Sequence, residues 1–131
     1  MFPLANIVTL PGKMADILIV EDAPLQQKII RGFVEPQHTV VAAVADGEEA
    51  VEFVDEHGAD VVIMDINLTE VDGITAAERI KSRDPETKII MSTALVSEEI
   101  ETAASQIPIE AYLIKPYSSE ELLDTIEDAL Q

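Results

Sequence analysis

Five short apolar runs alternate along this chain with five stretches of helical spacing, and that alternation leaves little freedom in the fold. The runs are Ile17–Val20, Thr39–Ala43, Val61–Met64, Lys88–Met91 and Tyr112–Ile114. Each is bounded by polar residues and reads as a buried strand. Between them, apolar residues recur at helical intervals. Leu25, Ile29, Ile30, Phe33 and Val34 form a stripe that ends near Pro36. Ala50, Val51, Phe53 and Val54 form a second, ended by His57 and Gly58. Ile74, Ala77 and Ile80 mark a third, stopped before Pro85. Ile100, Ala103, Ala104 and Ile107 mark a fourth. Leu122, Leu123, Ile126, Ala129 and Leu130 mark a fifth, opened by Ser118 and Ser119 with Glu120 and Glu121 behind them. Strands apolar on both faces and separated by helices imply a parallel sheet covered on both sides. With right-handed crossovers the result is an α/β fold: an open, doubly wound (βα)5 sheet.

Composition narrows the function classes. The 131 residues suit one domain, with enough chain to bury a core without staples. Eight Lys+Arg against 26 Asp+Glu give a net charge of −18, which disfavours direct contact with nucleic acid or an anionic membrane. Cysteine is absent, which removes disulfides, thiol catalysis and cysteine-ligated zinc. No apolar run reaches the length of a membrane span, and the N-terminal stretch lacks the basic start of a signal peptide. A cytoplasmic location is expected. Residues 1–14 read as a loosely ordered N-terminal extension and 15–131 as the domain proper. A Met start and a completed last helix lean toward a stand-alone domain.

In open parallel sheets, functional residues gather beyond the carboxyl ends of the strands. Glu21 and Asp22 follow the first run, Asp65 and then Asn67 the third, Ser92, Thr93 and Ala94 the fourth, and Lys115 and Pro116 the fifth. Three carboxylates, a hydroxyl and an ammonium are thus expected on one edge. Taken singly, each has an ordinary explanation: Glu21 and Asp22 could cap the first helix, and Lys115 could be solvated. Together at four strand ends they point to chemistry. Clustered carboxylates repel, and a hard divalent cation such as Mg2+ relieves them. Cation, hydroxyl and lysine suit a phosphoryl group, with Asp65 as nucleophile.

At these residues the chain resembles the receiver domain of two-component response regulators. The matching segments are ILIVED (17–22), ADGEEAVEFV (45–54), DVVIMDINL and VDGI (60–68 and 71–74), KIIMSTA (88–94) and AYLIKPYS (111–118). The resemblance implies a flavodoxin-like sheet with strand order 2-1-3-4-5. It implies that Asp65 is the phosphoacceptor, and that Glu21, Asp22 and Asp65, with the Asn67 backbone carbonyl, hold Mg2+. Thr93, the Ala94 backbone amide and Lys115 would contact the phosphoryl group. Tyr112 would be the aromatic coupled to the switch, and Lys115-Pro116 a cis bond. A regulatory domain is implied, not an enzyme, apart from its own phosphorylation and dephosphorylation. The donor would be a histidine kinase or phosphotransfer protein, met around the first helix, where Gln26, Gln27, Lys28 and Arg31 are neutral to basic.

Two departures bear on loop shape and partner fit: Leu68-Thr69 replaces the family's usual Met-Pro after the acceptor, and Ala23-Pro24 follows the acidic pair. Leu95, two residues after Thr93, cannot orient water by hydrogen bonding, so a long-lived phosphate is one expectation. From Ser92 onward Lys115 is the only basic residue among nine acidic ones. A homodimer through the fourth helix, fifth strand and fifth helix would repel itself, so a monomer or a basic output partner is expected there. Three rivals compete. A haloacid-dehalogenase-like phosphatase would need an acid where Asn67 stands. A pseudo-receiver would lack acidic or lysine positions. A flavodoxin-like cofactor binder would need a phosphate-cradling loop after the first strand, where Glu21 and Asp22 stand.

Overall fold

A computed structural model of the chain describes residues 14–68, 71–94 and 97–131. Ten elements alternate as expected: β1 Asp16–Val20, α1 Pro24–Val34, β2 Thr39–Val44, α2 Gly47–His57, β3 Val61–Met64, α3 Gly73–Arg83, β4 Lys88–Thr93, α4 Glu98–Ser105, β5 Ala111–Ile114 and α5 Ser119–Leu130. All neighbouring strands pair in parallel, in the order β2-β1-β3-β4-β5.

The strands explain why their sequence is apolar throughout. Along β1, Leu18 and Val20 face one core cluster while Ile17 and Ile19 face the other. β3 does the same, with Val62 and Met64 on one side and Val61 and Ile63 on the other. The first cluster is closed by Ala50, Val51 and Val54 of α2 and by Ala76, Ala77 and Ile80 of α3. The second is closed by Ile30 and Val34 of α1 and by Leu122 and Ile126 of α5. Each fully buried Leu, Ile, Val or Met side chain among them stabilises the fold by about 1.5–3 kcal/mol relative to exposure.

Local chemistry sets the helix ends. Asp46, Asp72, Ser97 and Ser118 are N-caps whose side chains accept from a backbone N–H in the first turn. Ser118 and Glu121 complete a reciprocal capping box. Gly58 closes α2 with φ of 75°, a conformation open to glycine. β1, β2 and β5 each extend one residue beyond the runs read from sequence, and two boundaries shift further. β4 runs on through Ser92 and Thr93, because both pair with β5. α4 ends at Ser105, so Ile107 packs into the core from beyond the helix.

Candidate functional site

The carboxyl edge of the sheet is held by ladder bonds that run one residue past the strands. Glu21 N donates to Val44 O at 2.9 Å, Asp65 N to Val20 O at 3.0 Å, and Lys115 N to Thr93 O at 2.8 Å. Strand register therefore fixes the backbone from which each functional side chain leaves. Glu21 and Asp22 do not cap α1: its N-cap is Ala23, without a side-chain cap bond, and Pro24 opens the helix. The ordinary explanation for this acidic pair falls away.

Glu21, Asp22 and Asp65 each present an oxygen within 4.8 Å of the others. Glu21 is 2% exposed and Asp65 8% exposed, while Asp22 is half-buried. The Lys115 ammonium donates to Glu21 Oε1 at 2.5 Å and stands 3.6 Å from Asp65 Oδ2. Glu21 Oε2 accepts from Ala23 N at 3.1 Å, and Asp65 Oδ1 accepts from Asn67 N at 3.1 Å. Three carboxylates against one ammonium leave the pocket with excess negative charge. Burial pushes the Asp22 carboxyl above its ordinary range, and the Glu21 carboxylate adds to the shift. Burial pulls the Lys115 ammonium down, but the hydrogen bond to Glu21 and the Asp65 charge outweigh it and hold the ammonium above its ordinary range.

The donor set is all oxygen and anionic, which fits a hard divalent ion. The three oxygens already lie within 4.8 Å of one another, close enough for Glu21, Asp22 and Asp65 to share one such ion. The remaining expected residues take varied places. Thr93 is fully buried at the end of β4. Asn67 and Ala94 are exposed just past their strands. The Lys115-Pro116 bond is cis. Tyr112 lies apart from the carboxylates, half-buried on β5, and lines a depression with Glu101, Ala104, Ile107 and Ile109. Burial and the Glu101 charge push its hydroxyl up. Leu95 and Thr69 lie outside the described residues.

Four residues near the site have roles that the sequence reading did not assign. The Gln27 side-chain amide donates to Glu21 O at 2.6 Å and to Val44 O at 3.3 Å, clamping the ends of β1 and β2. Gly73 sits against the backbone of Asp65 and Ile66. Ser92 and Tyr117 share a hydrogen bond of 2.6 Å behind the site. Only the short spacing of Tyr117 from Lys115, and the polar residue inside the apolar β4, could have drawn attention to this pair. Glu110, counted from sequence among the surface acids, instead binds Lys81 in a largely buried pair at 2.9 Å.

Fold and site together define a doubly wound domain with a metal-competent carboxylate pocket and a lysine at its mouth. The response regulator receiver domain profile matches residues 17–127, and the chain belongs to that family. It is 36% identical to the chemotaxis protein CheY of Bacillus subtilis, over 87% of this chain and 96% of that protein. The Halobacterium salinarum CheY is 32% identical, over 87% and 95%. Among solved structures, the response regulator domain of Thermotoga maritima CheB superposes with a TM-score of 0.82 at 29% identity, covering 90% of this chain and 97% of that one. CheY in the CheX-CheY-BeF3-Mg+2 complex from Borrelia burgdorferi superposes with a TM-score of 0.83 at 26% identity, covering 88% and 89%. Receiver domains are regulatory modules, and a phosphorylated aspartate is typical of the family.

Proposed function

We propose that this protein is a working receiver whose Asp65 accepts a phosphoryl group from a phosphohistidine donor and whose phosphorylation changes partner binding. The observation that carries this reading is the Lys115 ammonium lodged between Glu21 and Asp65, over a pocket of three carboxylates. An Asp65 carboxylate oxygen attacks phosphorus as the phosphorus–nitrogen bond to the donor imidazole breaks. The imidazole leaves with the bonding electron pair and takes up a proton. Lys115 needs only a short swing from Glu21 to meet the phosphoryl oxygens on Asp65. The Thr93 hydroxyl and the Ala94 amide donate to those oxygens, and the vacated space at Thr93 lets Tyr112 turn inward. Glu21, Asp22, Asp65 and the Asn67 carbonyl would hold Mg2+, which supplies charge neutralisation for the transferring group. Attack by water on phosphorus releases inorganic phosphate and restores the carboxylate.

The CheY relatives, matched over nearly their whole length, support a chemotaxis-type regulator in the cytoplasm. Among the described residues no helix is long and apolar enough to cross a membrane. The donor, a histidine kinase or phosphotransfer protein, docks around α1. There Leu25 and Ile29 are exposed, and a groove runs past Phe33 to Lys115 and Tyr117. Output passes through α4, β5 and α5 to a basic partner, since Glu98, Glu99 and Glu101 crowd the first turn of α4 and α5 has no basic residue in its last turn. The protein itself stays monomeric, and a phosphorylation-driven dimer in sedimentation at moderate salt would refute that.

Incubation with acetyl phosphate and Mg2+, followed by intact mass, tests the central reading. A phosphate adduct that requires Mg2+ and disappears in Asp65→Asn is expected. A folded protein that forms no adduct from acetyl phosphate or from a phosphohistidine donor would refute it in favour of a pure interaction module.

A further inference from the structure

Ser92 is an odd residue for its place. β4 alternates as the other strands do, with Ile89 and Met91 facing one core cluster and Ile90 the other. By that alternation Ser92 shares the face of Ile90, toward α1 and α5, and it is 1% exposed. A hydroxyl there replaces what the pattern would fill with an apolar side chain. Its partner is the Tyr117 hydroxyl at 2.6 Å. The Tyr117 ring packs against this same cluster and tilts 59° to Phe33 of α1, with centroids 6.5 Å apart. A hydroxyl pair in such surroundings loses hydration and returns little net stability, so an apolar pair of similar shape would serve the core as well. What the hydrogen bond adds is direction.

That direction bears on Lys115. Tyr117 follows it by two residues, and the Lys115 N–H already binds Thr93 O at 2.8 Å. Two consecutive residues of β4 thus hold the Lys115 segment from both sides, one through a backbone carbonyl and the other through a side-chain hydroxyl.

We propose that Ser92 and Tyr117 are a positioning pair: their hydrogen bond pins the segment after β5 to β4 and thereby sets where the Lys115 ammonium reaches between Glu21 and Asp65. Neither side chain touches the reacting atoms, so both act through Lys115. The consequence for rate rests on Asp65 being the phosphoacceptor; the consequence for Lys115 itself does not.

The test separates the two. Proton exchange of the Lys115 ammonium is followed by nitrogen-15 NMR on the whole chain without phosphodonor, assigned with Lys115→Arg. Tyr117→Phe and Ser92→Ala are each expected to speed that exchange about three- to tenfold, the equivalent of one lost neutral hydrogen bond. The double variant leaves no orphan hydroxyl and protects against misfolding of either single; its effect is expected to match one single rather than the product of both. Adduct formation from acetyl phosphate at saturating Mg2+ should slow by a similar factor. Unchanged Lys115 exchange in folded variants, or fully additive singles, would overturn the proposal whatever phosphorylation does. A wild-type protein that takes no phosphate would sink the Asp65 reading alone, leaving the exchange data to judge the pair.

Discussion

Gly73 opens α3 where the helix start meets the backbone of Asp65, the proposed phosphoacceptor. A Cβ built there would lie 2.0 Å from Asp65 O and 2.8 Å from both Asp65 C and Ile66 Cα, where ordinary contact is 3.4–4 Å. All three are backbone atoms of the segment leaving β3, and Gly73 N already donates to Ile66 O at 3.0 Å. No rotamer can absorb the clash, so either α3 or the end of β3 must retreat by more than an ångström. Overpacking of this kind costs about 1–3 kcal/mol, and with backbone on the receiving side Gly73→Ala belongs at the top of that range. For a domain of this size that lowers Tm by roughly 10 °C. A displacement of about 1 Å at a reacting group can cost about a hundredfold in rate, so adduct formation from acetyl phosphate should fall toward that factor. Gly47→Ala is the control. Its Cβ would lie 2.3 Å from Val71 O and 2.9 Å from Ala76 Cβ, a comparable crowding with no atom of Asp65 among its nearest neighbours. Both variants should lose comparable stability by thermal melts, but only Gly73→Ala should lose rate when assayed well below its Tm. A Gly73→Ala protein with wild-type rate, or equal rate losses in both, would refute the reasoning.

Two further perturbations probe the opposite edge of the sheet. Glu110 takes the Lys81 ammonium on both oxygens at 2.9 Å and also accepts from Ile89 N at 2.8 Å. Glu110→Ala strands a buried cation and should cost about 3–5 kcal/mol in urea unfolding, whereas Lys81→Met with Glu110→Gln should recover most of it, since glutamine can still accept from Ile89. His38 is buried, and its Nδ1 accepts from Ala15 N at 3.1 Å, which places the ring proton on Nε2. Burial pulls its pKa below the ordinary 6.5, with Glu127 opposing in part. The unfolded chain therefore binds the proton more readily: stability is full above about pH 6.5 and declines as pH falls below it. His38→Asn keeps an acceptor near Nδ1 and should flatten that decline below about pH 6.5; an unchanged slope would refute the assignment.

What could be read from sequence is what topology alone decides. Glu21 and Lys115 lie 94 residues apart, yet both follow apolar runs, and a parallel sheet has to bring such residues to one edge. Gly73 and Tyr117 obey no such rule. Glycine's role in VDGI depends on how closely α3 approaches Asp65, a distance that no periodicity encodes. Tyr117 depends on a serine 25 residues earlier being turned away from the site. Glu110 misled for a related reason: its charge matched the acidic run around it, but its carboxylate turns inward to Lys81 on α3. The alternation of β4 makes the distinction physical. Thr93 and Ser92 are adjacent, and the same pleat that aims one at the proposed phosphoryl site must aim the other at the opposite core. A one-residue slip of β4 would exchange them and would also drive Met91 and Ile90 to the wrong clusters. The two cores therefore enforce the register on which the site relies. The proposed effect of the Ser92 hydroxyl on Lys115 then runs from the far face by way of Tyr117.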